Sequence, residues 1–274
     1  ITTVSPTYAE EIRTPAYGCG LDGLLRFRGA DLVGILNGVD TDVWNPETDP
    51  MIPANYSIAD MSGKAACKAA LQKKMGLKVS KKTPVFGVVS RLYSQKGLDL
   101  LARIAGDLVS NMDIQIALLG SGDEWQQKAF SDLSTWFSGK IGVYIGFSNE
   151  LSHLVEAGSD FFLMPSRFEP CGLNQMYSMI YGTLPIVRST GGLADTVDQY
   201  SESTGAGDGF KFSDATCEAL YNTIGWACST WYDRPEDIAK MRQNAMSKDF
   251  SWSGSAEKYA LVYKWATAAR SAGI

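Results

Sequence analysis

Short apolar runs alternate with amphipathic stretches along the chain from Pro84 onward. Within the short runs, apolar residues follow one another without polar interruption, which indicates strands buried on both faces of a parallel sheet. The amphipathic stretches between them predict the helices that cover such a sheet. We therefore predict an α/β fold, a Rossmann-like parallel sheet with helices on both faces. The predicted strands are residues 84–89, 114–119, 141–145, 161–164, 184–188 and 209–212.

The helical periods place one covering element after each of the first five strands. These predicted helices span residues 97–110, 123–137, 149–157 and 172–181, with a short one beginning at residue 193. The flanks add a predicted helix at 61–75 and an aromatic-rich amphipathic helix at 251–270. Seven lysines fall between residues 64 and 82, and we interpret them as a solvated helix face and linker.

Composition narrows the classes of function. The 274 residues allow one large domain or two small ones, and a net charge of −5 argues against a nucleic-acid binder. His153 is the single histidine. The sequence therefore argues against a zinc hydrolase with several histidine ligands and against a Ser-His-Asp hydrolase. The apolar runs are too short to predict a membrane span. Five scattered cysteines without a CxxC pair indicate free thiols in a reducing compartment.

Candidate binding residues follow the predicted strands, where doubly wound parallel sheets bind their ligands. Arg91 and Lys96 come after the first strand and can clamp a diphosphate, although two surface cations would look the same. The turn that begins at Gly120 follows the second strand and offers backbone amides. Glu169 follows the fourth strand, between Phe and Pro, and its carboxylate can accept hydrogen bonds from sugar hydroxyls.

Two further turns offer backbone amides at the starts of helices. Residues 172–174 open the helix after the fourth strand, and residues 190–192 form a nest-like turn after the fifth. Together the loops supply two cations, one carboxylate and several amides, which suits a sugar joined to a diphosphate better than a nicotinamide ring. Residues 18–23 match G-x-G-x-x-G, but no apolar strand precedes them, so we interpret them as a plain turn.

These segments resemble the bacterial glycogen synthase and plant starch synthase family, retaining glucosyltransferases of family 5 with the GT-B fold. The resemblance covers nearly the whole chain. It rests on TVSPTYAEEI, ILNGVD, WNPETD, SRLYSQKGLDLL, ALLGSGD, GVYIGF, SHLVEAGSDFFLMPSRFEPCGLNQMYSM, YGTLPIVRSTGGLADTV and KDFSW. It implies that the chain is the C-terminal, donor-binding lobe of an enzyme that transfers glucose from ADP-glucose to an α-1,4-glucan with retention, without a metal or other cofactor.

The resemblance also assigns roles to residues. Arg91 and Lys96 would neutralise the diphosphate, and Glu169 would hold and orient the donor glucose, as the three catalytic positions. Phe147 would stack on adenine, where some members of the family carry Tyr. The predicted ADP-glucose-binding positions are Asn37, Gly120, Phe147, Cys171, Gly172, Leu173, Thr190, Gly191 and Gly192.

Three other residues can be interpreted at this point. Tyr177 occupies a position where many other GT-B transferases carry a second Glu, in agreement with the glycogen and starch synthase pattern. Cys171 has no adjacent base and would act through its position and backbone rather than as a nucleophile. His153 lies among apolar residues of a predicted helix, and we interpret it as structural.

The domain organisation follows from the resemblance. Residues 1–34, which open at Ile1 without a Met, would be the tail of an N-terminal lobe and the linker, residues 35–250 the nucleotide-sugar-binding lobe, and residues 251–274 a helix that packs back on the first lobe. The K-x-G-G-L loop and active-site His of the N-terminal lobe are not in this sequence, so we expect the chain to be inactive without that lobe.

Alternative functions are a non-catalytic nucleotide-sugar-binding or glucan-associated fragment, and a GT-B transferase that uses another nucleotide sugar. A bacterial protein would be cytoplasmic, and a plant or algal one would lie in the plastid stroma or on the starch granule.

Overall fold

A six-stranded parallel sheet lies at the centre of the structure, a computed structural model that describes residues 1–271. The strands are β3 (Val85–Leu92), β4 (Gln115–Gly122), β5 (Ile141–Ile145), β6 (Phe161–Met164), β7 (Leu184–Arg188) and β8 (Phe210–Phe212). The helices between and after them are α4 (Leu98–Asn111), α5 (Glu124–Trp136), α6 (Asn149–Gly158), α7 (Asn174–Ile180), α8 (Gly191–Thr196), α9 (Cys217–Asp233), α10 (Pro235–Met246) and α11 (Trp252–Ser271). The predicted α/β fold is confirmed.

The strand order is β5-β4-β3-β6-β7-β8. The chain therefore adds strands in one direction from β3 to β5, returns to the other side of β3 at β6, and continues outward. Because crossovers between parallel strands are right-handed, this reversal places the helices of the two halves on opposite faces. The reversal between β3 and β6 is also the topological switch point, where such sheets form a ligand-binding crevice.

Two strands are longer than the sequence predicts. β3 continues to Leu92 and β4 to Gly122, and the two strands stay paired to the end of that register. Arg91 is thus part of a strand rather than of the loop that follows, and Gly120 lies in β4 rather than in a turn. The helices α9 and α10 were not predicted, and they pack on each other and close the sheet beside β8 and β7.

The first 75 residues hold more structure than the single predicted helix. They contain β1 (Thr2–Thr3), α1 (Pro6–Glu11), α2 (Asp22–Phe27), β2 (Val33–Gly34) and α3 (Ser62–Lys74). The two short strands pair in parallel, separately from the main sheet. Residues 18–23 form a turn and the start of α2, as predicted. The helix α1 packs on α8 of the main domain, so this segment is attached close to the end of β7.

The interpretation of the lysines as a solvated face is wrong for two of them. Lys64 is buried and donates hydrogen bonds to the carbonyls of Ala157 and Tyr181 and to Thr183 Oγ1. Burial lowers the pKa of Lys64 well below its usual range. Lys68 is also buried, and its Nζ lies 2.7 Å from a carboxylate oxygen of Asp160. These amines hold α3 to the ends of α6 and α7, so they serve the packing of the domain.

The last described helix, α11, lies largely in solvent. Ser255 is its one buried residue, and the hydroxyl of Ser255 donates to the Leu36 carbonyl. Its large apolar side chains are exposed, among them Trp265, at 59% of its full accessible area. Residues 272–274, at the end of the predicted 251–274 segment, lie outside the described residues. Within residues 1–271, no helix combines the length and apolar character that crossing a membrane requires.

Candidate functional site

A cleft of about 590 Å³ opens at the carboxyl ends of the strands, next to the switch point. This volume lies within the range of small-molecule sites, about 300–1,000 Å³. Its walls come from the ends of β3 and β4, the loops after β5 and β6, and the start of α7. Eight of the predicted site residues line it: Arg91, Lys96, Gly120, Phe147, Glu169, Cys171, Gly172 and Leu173.

An ion pair joins two of the predicted catalytic residues. Lys96 Nζ lies 2.5 Å from Glu169 Oε2, and the hydroxyl of Ser166 donates to the same oxygen at 3.0 Å. The Glu169 side chain is 7% exposed and that of Lys96 is 18% exposed, so the pair is largely shielded from water. An ammonium group has three donors and can serve a diphosphate, and the carboxylate can accept from a sugar hydroxyl.

The loop that carries Glu169 is tied to the loop that carries Lys96. Arg167 forms a two-pronged pair with Asp99 of α4, at 2.6 and 2.8 Å. This arrangement holds the pKa of Asp99 below its usual range, chiefly through the hydrogen bonds from Arg167. Bidentate guanidinium–carboxylate pairs fix orientation as well as distance. Arg167 therefore anchors residues 165–172 on the helix that follows Lys96.

The same two loops touch through their backbones. Gly97 follows Lys96 with a left-handed φ of +66°, and a Cβ added there would lie 1.9 Å from the Pro165 carbonyl oxygen. The backbone N–H of Arg167 donates to the Gln95 carbonyl at 2.8 Å. Only glycine satisfies both the dihedral and the close approach. The distance between the Lys96 and Glu169 loops is therefore set by main-chain contact.

The opposite side of the cleft is much less constrained. Arg91, near the end of β3, is exposed and forms no ion pair among residues 1–271; its guanidinium carbon lies 5.8 Å from the centre of the Tyr93 ring. Phe147, after β5, is 87% exposed. It follows Gly146, which has a φ of +145°. An exposed aromatic ring at the rim of a cleft is available for stacking on a flat ring of a ligand.

The start of α7 forms the floor of the cleft beside Glu169. Cys171 is buried there, and burial raises the pKa of its thiol, an effect that a hydrogen bond from the Asn37 backbone partly opposes. A raised pKa keeps the thiol protonated, which fits the predicted positional role rather than a nucleophilic one. The helix begins at Asn174, later than predicted, so Gly172 and Leu173 form the bend before it. Asn37 itself approaches Cys171 but is not among the residues that line the cleft.

The three residues of the second predicted turn do not line the cleft. Thr190, Gly191 and Gly192 are buried behind the Glu169 loop. The Thr190 hydroxyl and the Gly191 backbone N–H both donate to Glu11 Oε1, at 2.7 and 3.0 Å. Their donors are therefore taken by a side chain of the protein, and their predicted contact with ADP-glucose stays a prediction.

Sequence reasoning missed several polar residues of the cleft. Ser166 was not singled out, although its hydroxyl holds the Glu169 carboxylate. Its position three residues before Glu169 in the same loop could have indicated this contact. Ser121 and Ser152 also line the cleft, and no local pattern distinguishes them from surface serines. Asn174 was considered only for its backbone amide, whereas its side chain donates to the Val89 carbonyl at 2.9 Å and binds α7 to β3.

His153, which is buried, and Tyr177, which is partly buried, belong to an aromatic stack beside the cleft. Trp44 lies between their rings, with centroids 3.9 Å away on each side and the planes 11° apart. His153 Nδ1 is 2.8 Å from Asp49 Oδ2, which also accepts from the Tyr181 hydroxyl at 2.6 Å. The stack fastens the loop around Trp44 to α6 and α7. This placement agrees with a structural interpretation of His153.

No metal centre is formed within residues 1–271: no three His, Cys, Asp or Glu side chains converge there as ligands would. The expectation that the reaction needs neither a metal nor another cofactor stays a prediction.

Comparisons of the sequence and of the structure with known proteins agree on the family of this chain. Residues 72–247 match the family of glycosyl transferases group 1, and residues 1–27 match the starch synthase catalytic domain. Glycogen synthase 1 of Geobacter sulfurreducens is 52% identical over 263 residues, which cover 96% of this chain and 52% of that protein. Glycogen synthase of Treponema denticola is 51% identical over 267 residues, covering 96% and 54%.

A solved structure supports the assignment. The catalytic domain of Starch Synthase IV from Arabidopsis thaliana, bound to ADP and acarbose, superimposes with a TM-score of 0.90 at 38% identity, over 96% of this chain and 55% of that one. The chain spans about half the length of the curated relatives it matches. On these grounds the chain belongs to the glycosyl transferases of group 1 and, within them, to the glycogen and starch synthase family with the GT-B fold.

Proposed function

We propose that this chain is the donor-binding half of an enzyme that transfers glucose from ADP-glucose to the non-reducing end of an α-1,4-glucan, with retention at the anomeric carbon. The observation that carries the proposal is the grouping of Arg91, Lys96 and Glu169 in one cleft at the switch point of the sheet. Two cations and a carboxylate that line the same cleft complement a diphosphate that is joined to a sugar.

The cations would act on the leaving group. When the bond between glucose and phosphate breaks, negative charge grows on the departing ADP. Fixed positive groups stabilise that charge more strongly in the transition state than in the bound substrate, and so they accelerate transfer. Lys96 is already held at the cleft by Glu169, while Arg91 can turn toward the diphosphate from the strand end.

Glu169 would bind the glucose. Its carboxylate is buried, faces the cleft and is held by Ser166 as well as by Lys96. Once Lys96 turns to the diphosphate, Glu169 Oε2 keeps only the hydrogen bond from Ser166, and a buried carboxylate that has lost its cation is costly without a further donor. A sugar hydroxyl supplies that donor. The binding of the diphosphate and of the glucose would therefore depend on each other through this ion pair.

The nucleotide base would stack on Phe147. The ring is exposed at the rim next to β4 and β5, and its face is uncovered before a ligand binds. ADP is favoured over other nucleotides because the starch synthase that superimposes on this chain was solved with ADP bound and the curated relatives are glycogen synthases.

The glucan and a preceding lobe complete the proposed enzyme. Relatives of about twice this length, together with the starch synthase match of residues 1–27, support an N-terminal lobe that would supply most of the glucan surface. The exposed Tyr263 and Trp265 of α11 would pack on that lobe. We expect chain elongation to require it. The product, glycogen or starch, follows from the source: a bacterial protein would act on glycogen in the cytoplasm, and a plant one on starch in the plastid.

Calorimetric titration of the 274-residue chain with ADP-glucose, UDP-glucose and NAD tests the proposal. We expect ADP-glucose to bind most tightly and NAD not to bind, with no glucan elongation by this chain alone. Preference for UDP-glucose would assign a different nucleotide-sugar transferase. Absence of binding to either nucleotide sugar would overturn the donor-binding role, and rapid elongation would overturn the need for a preceding lobe.

A further inference from the structure

Two carboxylates lock the short helix α1 onto α8 in a reciprocal manner. Asp195 of α8 accepts hydrogen bonds from the backbone N–H and the hydroxyl of Thr7, at 3.0 and 2.5 Å, at the start of α1. Glu11, at the end of α1, accepts from Thr190 and Gly191 at the start of α8. Each helix thus satisfies unpaired donors at the beginning of the other.

The turn that Glu11 holds also touches the main chain of the catalytic loop. The backbone N–H of Gly192 donates to the Glu169 carbonyl at 3.1 Å. A Cβ on Gly191, whose φ is +45°, would lie 1.9 Å from the same carbonyl oxygen. A Cβ on Gly192 would lie 2.0 Å from the Cys171 carbonyl oxygen. Residues 190–192 therefore support the backbone from which the Glu169 side chain extends.

Only one oxygen of Glu11 makes these contacts. Oε2 is buried and has no hydrogen-bond partner among the described residues. The bonds from Thr190 and Gly191 to Oε1 are thus the hydrogen bonds of this side chain, and Glu11 and Thr190 are 179 positions apart in the sequence. A partly buried carboxylate with one unpartnered buried oxygen contributes little to stability through these two bonds alone.

Glu169 depends most on its backbone support when the substrate is bound. In the structure, Lys96 and Ser166 hold its carboxylate. On the proposed function, the diphosphate takes Lys96 away, and Ser166 and the main chain remain. The direction of the carboxylate toward the glucose then depends on Ser166 and on the turn at residues 190–192, which contacts the Glu169 backbone.

We infer that Glu11 is a positioning residue, which acts through the turn at residues 190–192 to aim Glu169 at the donor sugar. The inference rests on the proposed function and deepens it. It makes the glucose contact depend on the N-terminal segment, although that segment contributes no charged group to the cleft. The recognition of glucose should then be sensitive to Glu11, while the recognition of ADP should not.

The test compares the affinities of the 274-residue chain for ADP-glucose and for ADP, measured by calorimetry. Their ratio reports the glucose contact. Glu11→Ala should lower the ratio by about fivefold, the worth of roughly one hydrogen bond, and leave the affinity for ADP within about twofold. Glu11→Gln should restore the ratio, because its amide oxygen can accept the same two bonds.

Thr7→Val is the matched control, because it weakens the docking of the same helix at Asp195 without touching residues 190–192. It should leave the ratio unchanged, and thermal unfolding verifies that each variant is folded. If Glu11→Ala does not fold, Thr190→Val removes one of the two bonds and should lower the ratio by a smaller factor.

An unchanged ratio in a folded Glu11→Ala or Thr190→Val variant, or an equal fall in Thr7→Val, would overturn the positioning role alone. A native chain that does not prefer ADP-glucose to ADP would overturn the proposed function and this inference together.

Discussion

The two sides of the cleft are built differently. On the side of Glu169, which we term the anchored side (residues 95–97 and 165–173), charged groups are paired and backbones touch, as Lys96 pairs with Glu169 and Arg167 with Asp99. On the opposite side, the open side (Arg91 and Phe147), the cation has no ion-pair partner within residues 1–271 and the ring is 87% exposed.

This difference indicates that the anchored side would position the reacting groups and the open side would bind the rest of the ligand. The backbone that carries Lys96 and Glu169 is held in place before the ligand arrives, which reduces the cost of arranging these groups during the reaction. The groups that would hold the base and reach over the diphosphate can adjust. Substitutions on the anchored side should therefore disturb stability and geometry, and substitutions on the open side should disturb affinity alone.

The largest expected effect is that of Gly191→Ala on the anchored side. A Cβ there meets the Glu169 carbonyl oxygen at 1.9 Å, and the φ of +45° is unfavourable for Ala. We expect a loss of about 3 kcal/mol in the free energy of unfolding, measured by urea denaturation. Gly76→Ala is the control: Gly76 has a φ of +67° but nothing within 4 Å of an added Cβ, so it should cost only about 1 kcal/mol. Equal losses would show that backbone contact contributes nothing.

The next effect compares the two cations. Arg91→Ala and Lys96→Ala should each lose about 1.5–3 kcal/mol of affinity for ADP, the usual worth of a charge-assisted hydrogen bond. Lys96→Ala should lose more, since it also leaves Glu169 without its cation, and that carboxylate then repels the diphosphate. Calorimetry measures both, with Lys128→Ala, an exposed lysine of α5 paired with Asp132, as control. Unchanged affinity in both variants would contradict the assignment of the phosphate site.

Phe147 tests the open side. Phe147→Ala should weaken the binding of ADP by about 0.5–1.5 kcal/mol through loss of stacking, while Phe147→Tyr should retain it. Because the ring is 87% exposed, neither variant should change the melting temperature. A clear fall in the melting temperature of Phe147→Ala would show that the ring packs against the protein instead.

The smallest effect is the acid dependence of the Asp99–Arg167 pair. The pKa of Asp99 is lowered in the folded protein, so its ionised form contributes stability above its ordinary pKa of about 3.9 and loses that contribution as the pH falls through the folded value. Because the Arg167 side chain is 37% exposed, we expect less than about 1 kcal/mol at neutral pH. The difference in unfolding free energy between the native chain and Asp99→Asn should shrink from pH 7 to pH 3.

Asp107→Asn, an exposed position on the same helix, is the control for this measurement. A difference between the native chain and Asp99→Asn that stays constant with pH would contradict the role of the ionised pair.

The local sequence pattern was sufficient to predict which residues lie at the ligand-binding edge of the sheet. Continuous apolar strands predicted the sheet, and the rule that ligands bind at strand ends located Arg91, Lys96 and Glu169. The supporting contacts could not be predicted in this way. Asp99 and Arg167 are 68 residues apart, and Glu11 and Thr190 are 179 apart. The local sequence around each of these residues does not indicate which distant residue it contacts.

The same limit applies to two interpretations, of which that of the lysines is wrong in part and that of the turn at residues 190–192 stays a prediction. The turn at residues 190–192 has the composition of a ligand-binding nest, but its donors serve Glu11 and its glycines allow close contact with the Glu169 loop. Lys64 has the sequence context of a solvated lysine, but three oxygen atoms from distant elements surround its amine. In both cases the decisive neighbours come from elsewhere in the chain.

A crystal structure of this chain with ADP-glucose tests the central claim most directly. We expect Lys96 Nζ to leave Glu169 for the diphosphate and a glucose hydroxyl to take its place on the Glu169 carboxylate. Arg91 and Phe147 should move onto the ligand, while the backbone of residues 165–173 stays in place. A ligand bound elsewhere, or bound in the cleft with the Lys96–Glu169 pair intact, would contradict that claim.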